Sequence, residues 1–232
     1  MYALTCSPVV RRVRKRHLTY LDHRALSDLE QSVHALDANH VPGIIVEAGC
    51  ALGGSAVVLG ISKRADRPLR IYDVFGIIPP PSAADGEDVH TRYEKVVSGK
   101  SAGIDGDPYY GYEKDLRGKV TSTLQSFGLD LGSDHIELVQ GLFQDTMMID
   151  EPVALAHIDA DWYDSVMACL ERIAPHLSHG GELIIDDYDA WSGCRKAVDD
   201  YFADKAEDYT FVRRSRLHIV RTSHEASQQP GN

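Results

Sequence analysis

Apolar residues recur at Leu21, Leu26, Leu29, Val33 and Leu36, a roughly helical spacing with acidic residues near its start. This predicts a helix over 20–38 that Pro42-Gly43 ends. The pattern then changes character. Ile44-Ile45-Val46-Glu47 is short, β-branched and followed by glycines, which reads as a buried parallel strand, and residues 54–64 resume helical periodicity. The unit returns as a strand over 69–74, a helix over 112–127, strands over 136–139 and 153–159, a helix over 163–177 and a strand over 182–186. Strands alternating with helices predict an α/β fold, with a mostly parallel, doubly wound sheet covered on both faces. Near the end, the runs 209–213 and 217–221 flank a short connection over 214–216, the spacing of an antiparallel hairpin that closes the sheet.

Residues 76–111 break the alternation. They carry Pro79-Pro80-Pro81, many glycines and the cluster Asp107-Pro108-Tyr109-Tyr110-Gly111-Tyr112. Insertions of this length are commonly lids or binding loops; the other reading is a loop packed on the sheet or on a second subunit. With 232 residues and 43% apolar composition, the chain is long and apolar enough to bury one sizeable core. A single domain over 1–222 is expected, followed by a disordered tail over 223–232.

No run reaches the ~18 apolar residues of a membrane span, and the N-terminus lacks the apolar core of a signal peptide, so a cytoplasmic protein that does not bind membranes is expected. Four scattered cysteines supply neither a disulfide framework nor a zinc site. The formal net charge of −11 argues against a general nucleic-acid binder. The basic cluster Arg11, Arg12, Arg14, Lys15 and Arg16 runs against that balance, and reads either as a contact to an acidic partner or as a solvated helix edge. A homo-oligomer, taken as a dimer, is the expected assembly.

Glu47-Ala48-Gly49-Cys50-Ala51-Leu52-Gly53-Gly54-Ser55 joins the first strand to the next helix. Glycines there let a ligand approach the backbone, and the helix start beyond offers free N–H donors. The dinucleotide fingerprint is not matched, because Gly49 and Gly53 lie four apart with alanine at 51, and no Gly-Lys-Ser/Thr ending marks a phosphate loop. An acidic residue two before the first glycine suits a cation-bearing adenosyl ligand. Asp73, at the end of the second strand, is placed to accept both ribose hydroxyls. Glu47, Gly49, Gly53, Ser55 and Asp73 are therefore cofactor candidates, joined by Gln144 and Asp145 after the third strand, where a polar side chain commonly meets adenine. A structural glycine turn is the plainer reading of the same loop.

His157-Ile158-Asp159-Ala160-Asp161-Trp162 ends one strand and Ile184-Ile185-Asp186-Asp187-Tyr188 the next. Ligands of an open parallel sheet bind beyond the carboxyl ends of its strands, so four aspartates converge on one edge near the glycine loop. Burying them together without a cation is costly, and carboxylates with spare water positions suit Mg²⁺ or Mn²⁺ better than zinc. Helix caps and solvated strand ends are the alternative for any one of them.

These stretches, with Tyr72-Asp73-Val74-Phe75-Gly76, Gly141-Leu142-Phe143-Gln144-Asp145-Thr146 and Gly193-Cys194-Arg195-Lys196-Ala197-Val198-Asp199, resemble the macrocin O-methyltransferase (TylF/MycF) family over roughly 44–202. The resemblance implies a Rossmann-like class I methyltransferase fold and an S-adenosylmethionine- and Mg²⁺-dependent transfer of methyl to a hydroxyl of a sugar or glycan. It implies Asp159, Asp186 and Asp187 as metal ligands and Asp161 as general base. His157, two before Asp159, is a second base, a substrate contact or a packed strand histidine. Tyr109, Tyr110 and Tyr112 of the insertion suit a sugar surface; Trp162 and Tyr188 either wall the acceptor pocket or belong to the core. Two other readings remain: a catechol-type metal-dependent O-methyltransferase, whose base would more often be a lysine, and an adenosyl-binding interaction protein without turnover.

Overall fold

The computed structural model describes residues 6–222; the expected tail over 223–232 lies outside them. Seven strands form one sheet in the order β3-β2-β1-β4-β5-β7-β6. They are β1 (Ile44–Ala48), β2 (Leu69–Asp73), β3 (Ile136–Gln140), β4 (Val153–Ile158), β5 (Leu177–Ile185), β6 (Tyr209–Arg213) and β7 (Leu217–Arg221). The first five run parallel, and β7 is antiparallel to both β5 and β6. The helices are α1 (Pro8–Lys15), α2 (His23–Ala38), α3 (Gly54–Ser62), α4 (Glu87–Val97), α5 (Leu116–Ser126), α6 (Phe143–Thr146), α7 (Tyr163–Ile173) and α8 (Ser192–Phe202). This is the mostly parallel α/β fold with a C-terminal antiparallel pair that the pattern predicts.

Alternation along the strands divides the core into two layers. Ile45, Leu69, Ile71, Leu155 and Ile184 pack with α1, α2, α3 and α5; Val46, Ala48, Ala156, Ile158 and Ile185 pack with α7 and α8. Central β1 and β4 are buried along their whole length, which is why their sequences run apolar with little alternation. Asp22 and Asp115 set the starts of α2 and α5 by accepting the N–H of Ala25 and Gly118, each at 2.8 Å.

Four helices go beyond what the sequence pattern predicts. On α1 the basic cluster stays at the surface, and two of its arginines lie against their own chain. Arg12 donates to the Ser126 carbonyl at 2.8 Å and Arg16 to Ser126 Oγ at 2.7 Å, and both guanidinia lie over the Phe127 ring at the C-terminus of α5, where cations are favoured. α4 lies inside 76–111, so part of the insertion is ordered helix. α6 and α8 follow β3 and β5. Among the described residues no helix is long and apolar enough to cross a membrane.

Candidate active site

β1 and β4 are neighbours whose following loops diverge to opposite sides, the crevice where an open parallel sheet takes its ligands. The glycine loop closes its near wall. Gly49 has φ +85°, and a Cβ there would overlap the carbonyl oxygen of Asp159, so the residue must lack one for β1 and β4 to approach at their ends. Asp73 ties this loop to β2: its Oδ2 accepts the N–H of Cys50 at 2.8 Å and its Oδ1 that of Phe75 at 2.7 Å. Burial pushes the Asp73 carboxyl above its ordinary value, and these backbone donors offset part of that rise. Three residues without glycine's freedom hold left-handed backbones at adjacent strand ends: Ala51 (φ 46°), Phe75 (φ 50°) and Asp161 (φ 55°). Strain of this kind persists where surrounding structure enforces a site's shape.

A cleft runs from Gly49 and Asp73 past Leu142, Phe143 and Gln144, and reaches Asp159 and Asp161. Each carboxylate oxygen of Asp73 has a second lone pair, so it can accept a ribose hydroxyl while bracing the loop. Asp73→Ala is expected to weaken S-adenosylmethionine binding by about 1.5 kcal/mol or more, the lower bound for hydrogen bonds to a charged group. Isothermal calorimetry checks this; unchanged affinity would move the ribose contact elsewhere.

Next to the cleft lies a cavity of about 420 Å³ that shares Gly49, Ile78, Tyr110, Asp159 and Asp161 with it. Asp159, Asp161 and Asp187 each bring one carboxylate oxygen within 4.8 Å of the others. Burial, and then the neighbouring Asp186, Asp187 and Asp161, push Asp159 well above the usual carboxylate range; burial, Asp161 and Asp186 do the same to Asp187. Asp161 is raised to about 6, chiefly by burial and then by Asp186. Asp186 behaves differently. Burial raises it, but His157 and Arg216 outweigh that and hold it below its ordinary value. Arg216 Nε lies 2.6 Å from Asp186 Oδ1, and His157 Nε2 lies 3.8 Å from the same atom. The Oδ2 of Asp187 is buried without a hydrogen-bond partner.

The opposite walls are aromatic. Tyr109 and Tyr110 stand 4.5 Å apart between ring centroids, Tyr20 is 6.3 Å from Tyr110, and Trp162 and Trp191 meet edge to face at 5.7 Å. Arg92 of α4 joins them, donating to Ser101 Oγ at 2.7 Å with its guanidinium 5.5 Å from the Tyr109 ring centre. Tyr20, Arg92 and Trp191 are site residues that the sequence pattern does not single out. Only Trp191 carries a signal, its place just after Asp186-Asp187; Tyr20 and Arg92 arrive from distant segments.

Several candidates stand elsewhere. Glu47 is fully buried on β1 beside His157 of β4, its Oε1 3.3 Å from His157 Nδ1, and it lines neither the cleft nor the cavity. The alternation that points Val46 and Ala48 to one face points Glu47 to the other, into the α1–α3 layer. His157 is likewise fully buried. Burial lowers its basicity, but Asp186 and Glu47 outweigh this and hold it up at about 9, so His157 stands as a strut between Glu47 and Asp186. Tyr112 donates to the Val96 carbonyl at 2.5 Å and accepts from Ser101 N, bracing the insertion from outside the cavity. Tyr188 donates to Asp199 at 2.6 Å with its ring between Arg195 and Arg213, and also lies outside. Gly53 caps α3, Ser55 is buried in its first turn and Asp145 sits in α6; none lines either space.

Comparisons with known proteins bear on this geometry. The family model described as Macrocin-O-methyltransferase (TylF) matches residues 14–209. The chain is similar to the 8-demethyl-8-(2,3-dimethoxy-alpha-L-rhamnosyl)-tetracenomycin-C 4'-O-methyltransferase of Streptomyces olivaceus, 30% identical over 79% of this chain and 67% of that protein. It is also similar to the demethyldecarbamoylnovobiocin O-methyltransferase of Streptomyces niveus, 27% identical over 88% of this chain and 76% of that one. In fold it resembles the solved structure of the O-methyltransferase NovP, with a TM-score of 0.72 at 24% identity over 89% of this chain and 83% of that one. The matched span holds both strand-end aspartate pairs and the glycine loop, and the chain belongs to the macrocin O-methyltransferase family of S-adenosylmethionine-dependent enzymes.

Proposed function

We propose that this O-methyltransferase transfers a methyl group to a hydroxyl of a sugar or glycan with the help of a divalent cation, Mg²⁺ or Mn²⁺. The observation that carries the reading is that Asp159 and Asp161 line both the cleft and the cavity, so carboxylates stand at the junction the methyl group must cross. The names of the relatives, which include a rhamnosyl 4'-O-methyltransferase, support a sugar acceptor.

The donor set fits a hard cation. Buried carboxylates repel one another, the unpartnered Asp187 Oδ2 faces no protein donor, and all candidate ligands are oxygens. Asp159, Asp186 and Asp187 would hold the ion, which when bound supplies a Lewis acid to orient acceptor oxygens. Asp186, whose Oδ1 accepts from Arg216, is not one of the three carboxylates that converge within 4.8 Å, and it would offer its Oδ2. Asp161 takes the acceptor proton; its left-handed backbone carries the carboxylate into the junction, within reach of both the cleft and the cavity. Tyr109 and Tyr110 present flat faces to the C–H surface of a sugar, and Arg92 donates to its oxygens. Gly49, Asp73 and Gln144 hold the adenosyl group on the other side.

A panel of glycosides and catechols assayed with methyl-labelled S-adenosylmethionine and Mg²⁺ tests the acceptor class. Label is expected in a glycoside. Preference for planar catechols over every sugar would favour the catechol-type reading, and no transfer to any acceptor would favour an adenosyl-binding role.

A further inference from the structure

The starts of α7 and α8 carry the two aspartate loops: α7 begins two residues after Asp161 and α8 five after Asp187. Both starts lack a cap of their own. Their N-cap residues are Trp162 and Trp191, neither of which makes a side-chain capping bond, although a helix start needs acceptors for its free N–H groups. The acceptors come from the insertion. Asp85 Oδ1 accepts the N–H of Tyr163 at 2.8 Å, and Asp88 Oδ2 accepts that of Ser192 at 2.9 Å. Asp85 is nearly buried, its Oδ2 accepts Ser82 N at 2.9 Å, and Gly193 in the first turn of α8 comes so close that a Cβ there would overlap Asp85 Oδ1. Trp162 adds a third tie by donating from Nε1 to the Pro79 carbonyl at 2.9 Å.

We propose that Asp85 is a positioning residue: wedged between the starts of α7 and α8, it fixes the spacing of the two aspartate loops and makes docking of the insertion and cation affinity rise and fall together. The inference rests on the reading of those loops as the cation and acceptor site. A carboxylate at two helix starts is favoured by both dipoles, so the insertion has an electrostatic reason to seat there. Seating it brings α4, with Arg92, and the Tyr109–Tyr110 wall over the aspartates in the same movement.

The chain's two tryptophans both lie at this junction, so intrinsic fluorescence reports on it directly. The variants are Asp85→Ala, the milder Asp85→Asn, and Gly193→Ala, which keeps Asp85 but displaces it. Gly193→Ala reaches the same contact from the other side, since its Cβ would overlap Asp85 Oδ1; a merely structural role predicts a lower melting temperature in it with Mn²⁺ affinity unchanged, whereas the positioning role predicts loss of Mn²⁺ affinity in the folded protein. The full chain is titrated with Mn²⁺ and with S-adenosylhomocysteine, and digested briefly with protease. Asp85→Ala and Gly193→Ala are both expected to weaken Mn²⁺ about tenfold, the range for supports of metal ligands, with S-adenosylhomocysteine affinity within about twofold of wild type. Tryptophan emission should shift to the red, and cleavage within 98–107 should quicken. Asp85→Asn keeps one of the two accepted bonds and should fall between; it carries the test if Asp85→Ala fails to fold. Wild-type Mn²⁺ affinity and emission in both Asp85→Ala and Gly193→Ala would overturn the proposal. Should the wild-type protein itself take up no Mn²⁺, the cation reading fails, and unchanged emission and cleavage in the variants would then overturn the coupling separately.

Discussion

Asp161→Asn is expected to lower kcat by about 10² to 10⁴ fold, the usual contribution of a positioned general base, while Mn²⁺ affinity stays close to wild type. The amide keeps the shape of the carboxylate, and the left-handed backbone at 161 tolerates asparagine as readily as aspartate, so the protein should fold normally. What it loses is the proton acceptor at the junction of cleft and cavity. The experiment discriminates because Asp161 also lies within 4.8 Å of Asp159 and Asp187, near enough to serve as a ligand. Loss of Mn²⁺ together with turnover would put Asp161 in the ligand set in place of Asp186, leaving Asp186 as the partner of Arg216 and His157.

The second large effect is on stability, and its sign reverses with the cation. Without a divalent ion, Asp187→Asn should melt above wild type. Burial and the charges of Asp161 and Asp186 strain the Asp187 carboxylate, whereas an amide carries no charge and can donate to Asp159. Relief on the order of 1 kcal/mol raises Tm by about 2–4 °C in a chain of this size. Saturating Mg²⁺ should then lift the wild type by about 2.7 kcal/mol at a hundredfold excess over Kd and leave the variant where it was, so the order of the two melting curves inverts. Differential scanning calorimetry in EDTA and in Mg²⁺ reads both halves. A variant that melts below wild type in EDTA yet still gains from Mg²⁺ would remove Asp187 from the cation site.

Much of this site is legible in the sequence because a parallel sheet sends its ligands to one edge, and Asp73, Asp159, Asp161, Asp186 and Asp187 all stand at strand ends. The strands themselves are legible from β-branched runs, and the final pair from the spacing of 209–213 and 217–221. What the sequence hides, it hides for identifiable reasons. Helix α4 buries only Val89 and Val96, seven residues apart, too thin a stripe to register as helical periodicity among charged neighbours. Strand β5 starts at Leu177, opposite Val153, but its ladder slips register across Gly180-Gly181 and resumes at Glu182, so the sequence shows only the regular part. The starts of α7 and α8 carry tryptophans where a cap is expected, since their acceptors arrive from Asp85 and Asp88, 78 and 104 residues away in sequence. Glu47 and Tyr188 sit beside the right motifs, but which way each side chain turns depends on partners, His157 and Asp199, that only the folded sheet supplies.

Turnover by the metal-stripped enzyme tests the central claim most directly. Protein dialysed against EDTA, saturated with S-adenosylmethionine and given the glycoside that the acceptor panel identifies, is predicted to transfer no methyl group while still binding the cofactor, and to recover on addition of Mg²⁺ or Mn²⁺. Full transfer in excess EDTA, with no tightly held ion found by elemental analysis, would contradict it.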